Sequence, residues 1–308
     1  MQLNNMFGKD IISIANMDVH TIQLILKTAK NFKLFPRNSY LKNKIIGSCF
    51  FEASTRTRLS FDTAIYRMEG KIIGFSDIDT TSAGKKGESL SDTIQVISSY
   101  TDAIIIRHPC AGSAKLAADI SSKPVINAGD GGNQHPTQTL LDLFTISESQ
   151  GSLEELNIAM VGDLRYGRTV HSLSQALSHF NTTLFFVAPK SLSMPDSVCN
   201  FLNEKNIKFS YHENMMEILS DLDILYMTRL QKERFEPTEY HEIKQQFILK
   251  PHMLMNTKKN LKIMHPLPRV GEIDKNIDIM KQAYYFQQAS NGVEIRQAII
   301  ALLLKEIL

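Results

Sequence analysis

Cysteine is scarce in this chain of 308 residues: Cys49, Cys110 and Cys199 are odd in number, widely separated and without C-x-x-C spacing. That pattern suggests neither a disulfide framework nor a zinc site, and buried or inert thiols are expected. Long apolar runs are also missing. The longest, residues 298–304, is far too short to cross a bilayer, and no basic leader followed by an apolar run opens the chain. A cytoplasmic location with no membrane partner is therefore expected. Charge of one sign is not in excess either, because the formal net charge is +2, which argues against a nucleic-acid partner. The G-x-G-x-x-G fingerprint of dinucleotide sites does not occur. Nor does any repeat or low-complexity segment.

What is present is an ordinary globular composition, 43% hydrophobic and 21% charged, in a chain long enough for two domains. Apolar strand patterns alternate with helical ones, the signature of an α/β protein with parallel sheets. The first series places strands at 45–51, 71–75, 103–106 and 124–127; the second places them at 157–161, 183–187, 207–211, 224–227 and 261–264. A helix over about 137–149 and the turn Gln150-Gly151-Ser152 separate the two series. The expected architecture is two domains, each a parallel β-sheet flanked by helices, with the active site in the cleft between them.

The richest motif is Ser54-Thr55-Arg56-Thr57-Arg58, where an apolar strand runs into alternating hydroxyl and guanidinium residues that open a helix. Unpaired N–H groups and the positive end of the helix dipole suit an oxyanion there, and hydroxyls with a planar Arg56 fork add donors. Alone, these five residues fit a capped surface helix equally well. Arg56 and Arg58 point to nearly opposite sides of a helix, so Arg56 is expected to face the anion and Arg58 to make a structural ion pair.

Other loops after strands carry similar chemistry. Residues 80–88, with Ser82, Lys85, Lys86 and two glycines, read as a cationic flap or as a solvated loop. Arg107-His108-Pro109 follows one strand; His135-Pro136-Thr137-Gln138 follows another, with His135 and Gln138 able to share a helix face. Residues 162–169 spell G-x-x-x-x-G-R-T, one residue from a P-loop, but Arg168 replaces the lysine and suits a carboxylate better. Arg229 and Gln231 follow a further strand and can point the same way if the chain stays extended. His265-Pro266-Leu267-Pro268-Arg269 is a stiff loop that leaves the Leu267 and Pro268 carbonyls as acceptors, or else a plain rigid turn.

Taken in order, S-T-R-T-R, the S-x-G-K-K-G-E flap, R-H-P, H-P-T-Q, G-D-L-x-Y-G-R-T, T-R-x-Q-K-E-R and H-P-L-P-R resemble the aspartate/ornithine carbamoyltransferase family over essentially the whole chain. The resemblance implies a carbamoyl phosphate-binding domain over 1–150 with the final helix 290–308 packing back on it, and an acceptor domain over 151–289. It implies carbamoyl transfer from carbamoyl phosphate to L-aspartate, the committed step of pyrimidine synthesis, with no cofactor and no metal. L-Ornithine is disfavoured as acceptor, because that branch carries H-C-L-P and S-M-G loops that are absent here.

Residue by residue, the resemblance assigns the phosphate to Ser54, Thr55, Arg56, Thr57 and Arg107, with Ser82 and Lys86 supplied by a neighbouring subunit. Thr57, Arg107 and His135 would contact the carbamoyl oxygen. Gln138 and the Leu267 and Pro268 carbonyls would hold its nitrogen, while Arg168, Arg229, Gln231 and Lys86 would hold the L-aspartate carboxylates. Arg56, Thr57, Lys86, Arg107 and His135 form the catalytic set. Glu52 and Arg234 match positions that link the domains, and Glu88 would orient Arg56. A flap acting in trans implies a homotrimer with shared active sites. The family also leaves open a dodecamer of two catalytic trimers with three regulatory dimers: Arg165, Tyr166 and Glu239 keep the pairing used between trimers, whereas Cys110, Ala111 and Gly271 depart from the enteric pattern.

Overall fold

The computed structural model describes residues 4–230 and 247–305, so Gln231, Arg234 and Glu239 lie outside the described residues. The chain forms two compact units, Met1–Phe144 with Ser290–Leu308, and Thr145–Ala289. Their division falls inside one continuous helix, Pro136–Gln150.

In the first unit, strands β1 (Ile45–Phe50), β2 (Lys71–Phe75), β3 (Ala103–His108) and β4 (Val125–Asp130) make a parallel sheet in the order β2-β1-β3-β4. Helices α1 (Val19–Leu34), α2 (Thr55–Arg67), α3 (Ser82–Lys86), α4 (Leu90–Tyr100), α5 (Ser113–Ile120) and α6 (Pro136–Gln150) flank or connect these strands. The apolar runs are continuous because β1, β3 and β4 are covered on both faces, as parallel strands between helices must be. α1 buries Ile22, Ile25, Leu26, Ala29 and Phe32 along one stripe, and Asp18 caps it by accepting the Thr21 N–H at 2.7 Å.

The two edges of this sheet differ. At β4 the N-terminal segment pairs through Ile11, whose N–H donates to Val125 and whose carbonyl accepts from Asn127. At β2 no further strand follows among the described residues, and Ile73 on β2, Leu59 and Tyr66 on α2, and Val96 and Tyr100 on α4 are exposed. Gly74 holds β2 against β1. It has φ 150, and a Cβ there would lie 2.0 Å from the Ser48 carbonyl oxygen. Gly74→Ala is expected to destabilise the protein by about 3 kcal/mol, the upper end of ordinary single substitutions, as measured by urea unfolding.

The second unit is a five-stranded parallel sheet in the order β7-β6-β5-β8-β9, made of β5 (Asn157–Val161), β6 (Thr183–Val187), β7 (Lys208–His212), β8 (Ile224–Met227) and β9 (Lys262–Met264). Helices α7 (Arg168–Leu177) and α8 (Asp196–Glu204) make the crossovers on the β5 to β7 side. Its core gathers Ala159, Val161, Leu225, Met227, Ile263 and Tyr285 from strands and the start of the last helix, Tyr285–Leu304. No helix among the described residues is long and apolar enough to cross a membrane.

Candidate active site

In an open parallel sheet the carboxyl ends of the strands part where the winding reverses, which leaves a crevice for ligands. In the first unit that reversal lies between β1 and β3, and the loops leaving them carry Ser54 to Arg58 and Arg107. Ser54 is the N-cap of α2, yet its hydroxyl makes no capping bond, and no acceptor among the described residues takes the N–H of Thr55, Arg56 or Thr57. Donors at a helix start without acceptors are what an oxyanion needs.

The charges at this place do not balance. Arg107 donates through Nη1 to the Ala128 carbonyl at 3.2 Å and pairs through Nη2 with Glu52 at 3.2 Å, while its buried Nε has no hydrogen-bond partner. Arg56 has no ion-pair partner among the described residues; burial and the neighbouring Arg107 both push its guanidinium below the usual range. Arg107 thus has Glu52 as its ion-pair partner while Arg56 beside it has none among the described residues, and a phosphate would relieve the excess positive charge. Arg58 pairs with Asp62 at 3.6 Å, the structural role expected of it. Thr57 is buried in the first turn of α2.

His135 and Gln138 follow β4, the next strand along. His135 is 6% exposed, its carbonyl accepts the Gln138 N–H at 2.9 Å, and its Nδ1 lies 3.4 Å from the Thr137 hydroxyl. The Gln138 side-chain nitrogen donates to buried Asp142 at 2.9 Å, which leaves the amide oxygen as an acceptor. The loop before them is built around buried Asp130, which accepts from Asn127, Asn133, Gly112 and Gln134. His108, one residue after Arg107, is structural: its Nδ1 takes the Cys110 N–H at 3.0 Å.

The flap is partly a helix. Residues 82–86 form α3, because Thr81 accepts the Gly84 N–H at 3.2 Å and Gly87 closes the turn with φ 73. It follows the edge strand β2; Ser82 and Lys86 are exposed, and no ion pair joins Lys86 to any described residue. Glu88 accepts from its own chain's Thr93 hydroxyl at 2.8 Å.

In the second unit the winding reverses between β5 and β8, and Arg168, Arg229 and the 265–269 loop follow the adjacent strands β5, β8 and β9. Arg168 is the first residue of α7 and half-buried, and Arg229 is exposed two residues beyond β8. Gln231 and Arg234 fall outside the described residues. The P-loop-like glycine has a packing cause. Gly162 has φ 117, and a Cβ on it would meet the Thr228 hydroxyl at 2.6 Å, so close approach of β5 to β8 selects it. Leu267 adopts φ 54, and the Leu267–Pro268 peptide is cis.

Sequence reasoning assigned no role to Asp142, which accepts from Gln138, to Glu272, which accepts from His265, or to Asp130, which organises the loop before His135. The Gln138 and Asp142 spacing of four was a usable signal. Glu272 had none, since its partner is reached through a loop.

Two α/β units, N–H groups beside Arg56 and Arg107 after one reversal, and Arg168 and Arg229 after the strands of the other suit a transferase with a phosphorylated donor and an anionic acceptor. The chain belongs to the aspartate/ornithine carbamoyltransferase family: residues 9–148 match its carbamoyl-P binding domain and residues 154–303 its Asp/Orn binding domain. It is 59% identical over 301 residues to aspartate carbamoyltransferase catalytic subunit 2 of Shewanella halifaxensis, covering 98% of this chain and 97% of that one. Among solved structures, the catalytic subunit of M. jannaschii aspartate transcarbamoylase superposes with a TM-score of 0.92 at 46% identity, covering 96% of this chain and 98% of that chain. Aspartate transcarbamoylase from Trypanosoma cruzi, solved with carbamoyl phosphate and aspartate, gives 0.92 at 32% identity, covering 98% and 97%.

Proposed function

We propose that this protein transfers the carbamoyl group of carbamoyl phosphate to the amino group of L-aspartate, giving N-carbamoyl-L-aspartate and phosphate. The observation that carries this reading is Arg56, without an ion-pair partner among the described residues, beside Arg107 and the first N–H groups of α2, for which no described residue supplies an acceptor. Ser54, Thr55, Arg56, Thr57 and Arg107 hold the phosphate there. Thr57, Arg107 and His135 donate to the carbamoyl oxygen, and Gln138 with the Leu267 and Pro268 carbonyls accepts from its nitrogen. Arg168 and Arg229 take the acceptor's two carboxylates, helped by Gln231 and Lys86.

The amine attacks the carbamoyl carbon directly. A C–N bond forms, the oxygen becomes an oxyanion held by Thr57, Arg107 and His135, and the C–O bond to phosphate then breaks. The departing phosphate takes the amine proton. No covalent intermediate with the protein is needed, and the rate comes from alignment and from donors aimed at the developing charge.

The site on one chain is incomplete on this reading. Ser82 and Lys86 of a second copy close the cradle, and the exposed apolar edge around β2 is the surface on which that copy seats, giving a homotrimer. A dodecamer of two such trimers with three regulatory dimers is the larger assembly that remains open to this trimer.

One assay tests the acceptor. Purified protein with carbamoyl phosphate is expected to make N-carbamoyl-L-aspartate from L-aspartate and nothing from L-ornithine, since two arginines repel a cationic acceptor. Citrulline formation, or carbamoyl phosphate breakdown that ignores L-aspartate, would overturn the reading.

A further inference from the structure

His265 directly follows β9 by one residue and is 1% exposed. Its backbone N–H donates to Gln288 Oε1 at 2.7 Å, and its ring turns back onto its own loop. Nδ1 accepts the Leu267 N–H at 2.8 Å. A ring nitrogen that accepts carries no hydrogen, so the proton sits on Nε2, which donates to Glu272 Oε1 at 2.7 Å. The other Glu272 oxygen accepts the Val270 N–H at 2.7 Å. Burial pushes the Glu272 carboxyl up, but the hydrogen bonds from His265 and Val270 outweigh it and hold it below the usual range.

Only a carboxylate accepts from both sides. A glutamine at 272 would turn its NH2 toward either His265 or Val270, setting donor against donor. The chain of bonds ends at Leu267, whose φ of 54 is one that branched residues adopt only when held. Just beyond it, no donor among the described residues reaches the Leu267 or Pro268 carbonyl oxygen.

We propose that His265 and Glu272 are positioning residues for the carbamoyl nitrogen: Glu272 fixes the His265 tautomer, His265 Nδ1 fixes the Leu267 N–H, and the loop so held presents its two carbonyls as paired acceptors. This rests on the assignment of those carbonyls to the substrate NH2 made above. Neither residue touches the substrate, so their removal weakens recognition of the amide and not of the phosphate.

The test is equilibrium binding of carbamoyl phosphate and of acetyl phosphate, in which a methyl replaces the NH2, to the full-length protein. The wild-type preference for carbamoyl phosphate reads the two carbonyls. Glu272→Gln and His265→Gln should each weaken carbamoyl phosphate about tenfold while changing acetyl phosphate less than about twofold. His265→Asn, whose amide oxygen can take the place of Nδ1, should keep most of the preference. Equal weakening of both ligands by Glu272→Gln, or equal loss in His265→Asn and His265→Gln, overturns the proposal alone. If His265→Gln does not fold, the isosteric Glu272→Gln set against His265→Asn decides the same question. A wild-type protein without preference between the two phosphates removes the carbonyls from the site, and so overturns the assignment together with the inference.

Discussion

Replacing Arg56 by alanine should lower kcat by about 100- to 1000-fold, the cost of removing one donor aimed at developing charge. The residue stands in the first turn of α2, beside Arg107 and among three backbone N–H groups that no described residue accepts. That arrangement is electrostatically unfavourable, because Glu52 pairs with Arg107 and the Arg56 guanidinium beside Arg107 has no ion-pair partner among the described residues. Deleting Arg56 therefore removes repulsion from the folded state while removing attraction from the bound phosphate. Steady-state kinetics and urea unfolding on the same preparation separate the two: turnover should fall steeply and stability should stay within about 0.5 kcal/mol. Wild-type rates in this variant would remove the phosphate from the cradle.

His135→Ala should lower kcat about 100-fold while leaving the dissociation constant of carbamoyl phosphate nearly unchanged. On the proposed assignment the phosphate group is held by the first turn of α2, which follows β1, and by Arg107 near the end of β3, whereas His135 follows β4 and contacts the carbamoyl oxygen. Its interaction strengthens as that oxygen gains charge, so it lowers the transition state more than the bound substrate. Buried histidine also packs, and an unfolding measurement on the variant distinguishes a loosened loop from a lost donor. Unchanged turnover would exclude His135 from the reaction, and equal losses in binding and turnover would make it a binding residue.

Much of this fold was legible in advance because parallel strands buried on both faces leave uninterrupted apolar runs. Residues 103–106 are an example, and β3 extends only two residues further, to Arg107 and His108. Residues 82–86 were not legible as a helix. They lack an apolar stripe, and their turn is set by the Thr81 cap and by Gly87 rather than by burial. The donors in the first turn of α2 could be read from residue types at a helix start. Their supports could not: Asp142 behind Gln138 and Glu272 behind His265 meet their partners through space, and Glu272 acts across a loop whose course depends on the φ of Leu267. The glycine of the P-loop-like string misleads in sequence because phosphate binding and close strand packing both demand a residue without a Cβ.

On the proposed function, the phosphate cradle is completed by a second copy of the chain. Chains carrying Arg56→Ala and chains carrying Lys86→Ala, each inactive alone, should regain activity when dissociated, mixed and reassembled, because a hybrid trimer places an intact cradle beside an intact flap. Recovery should reach a fixed fraction of wild-type kcat/KM that depends on the mixing ratio. Hybrid trimers, verified by size and composition, that remain as inactive as their parents would contradict donation of Lys86 from a neighbouring chain.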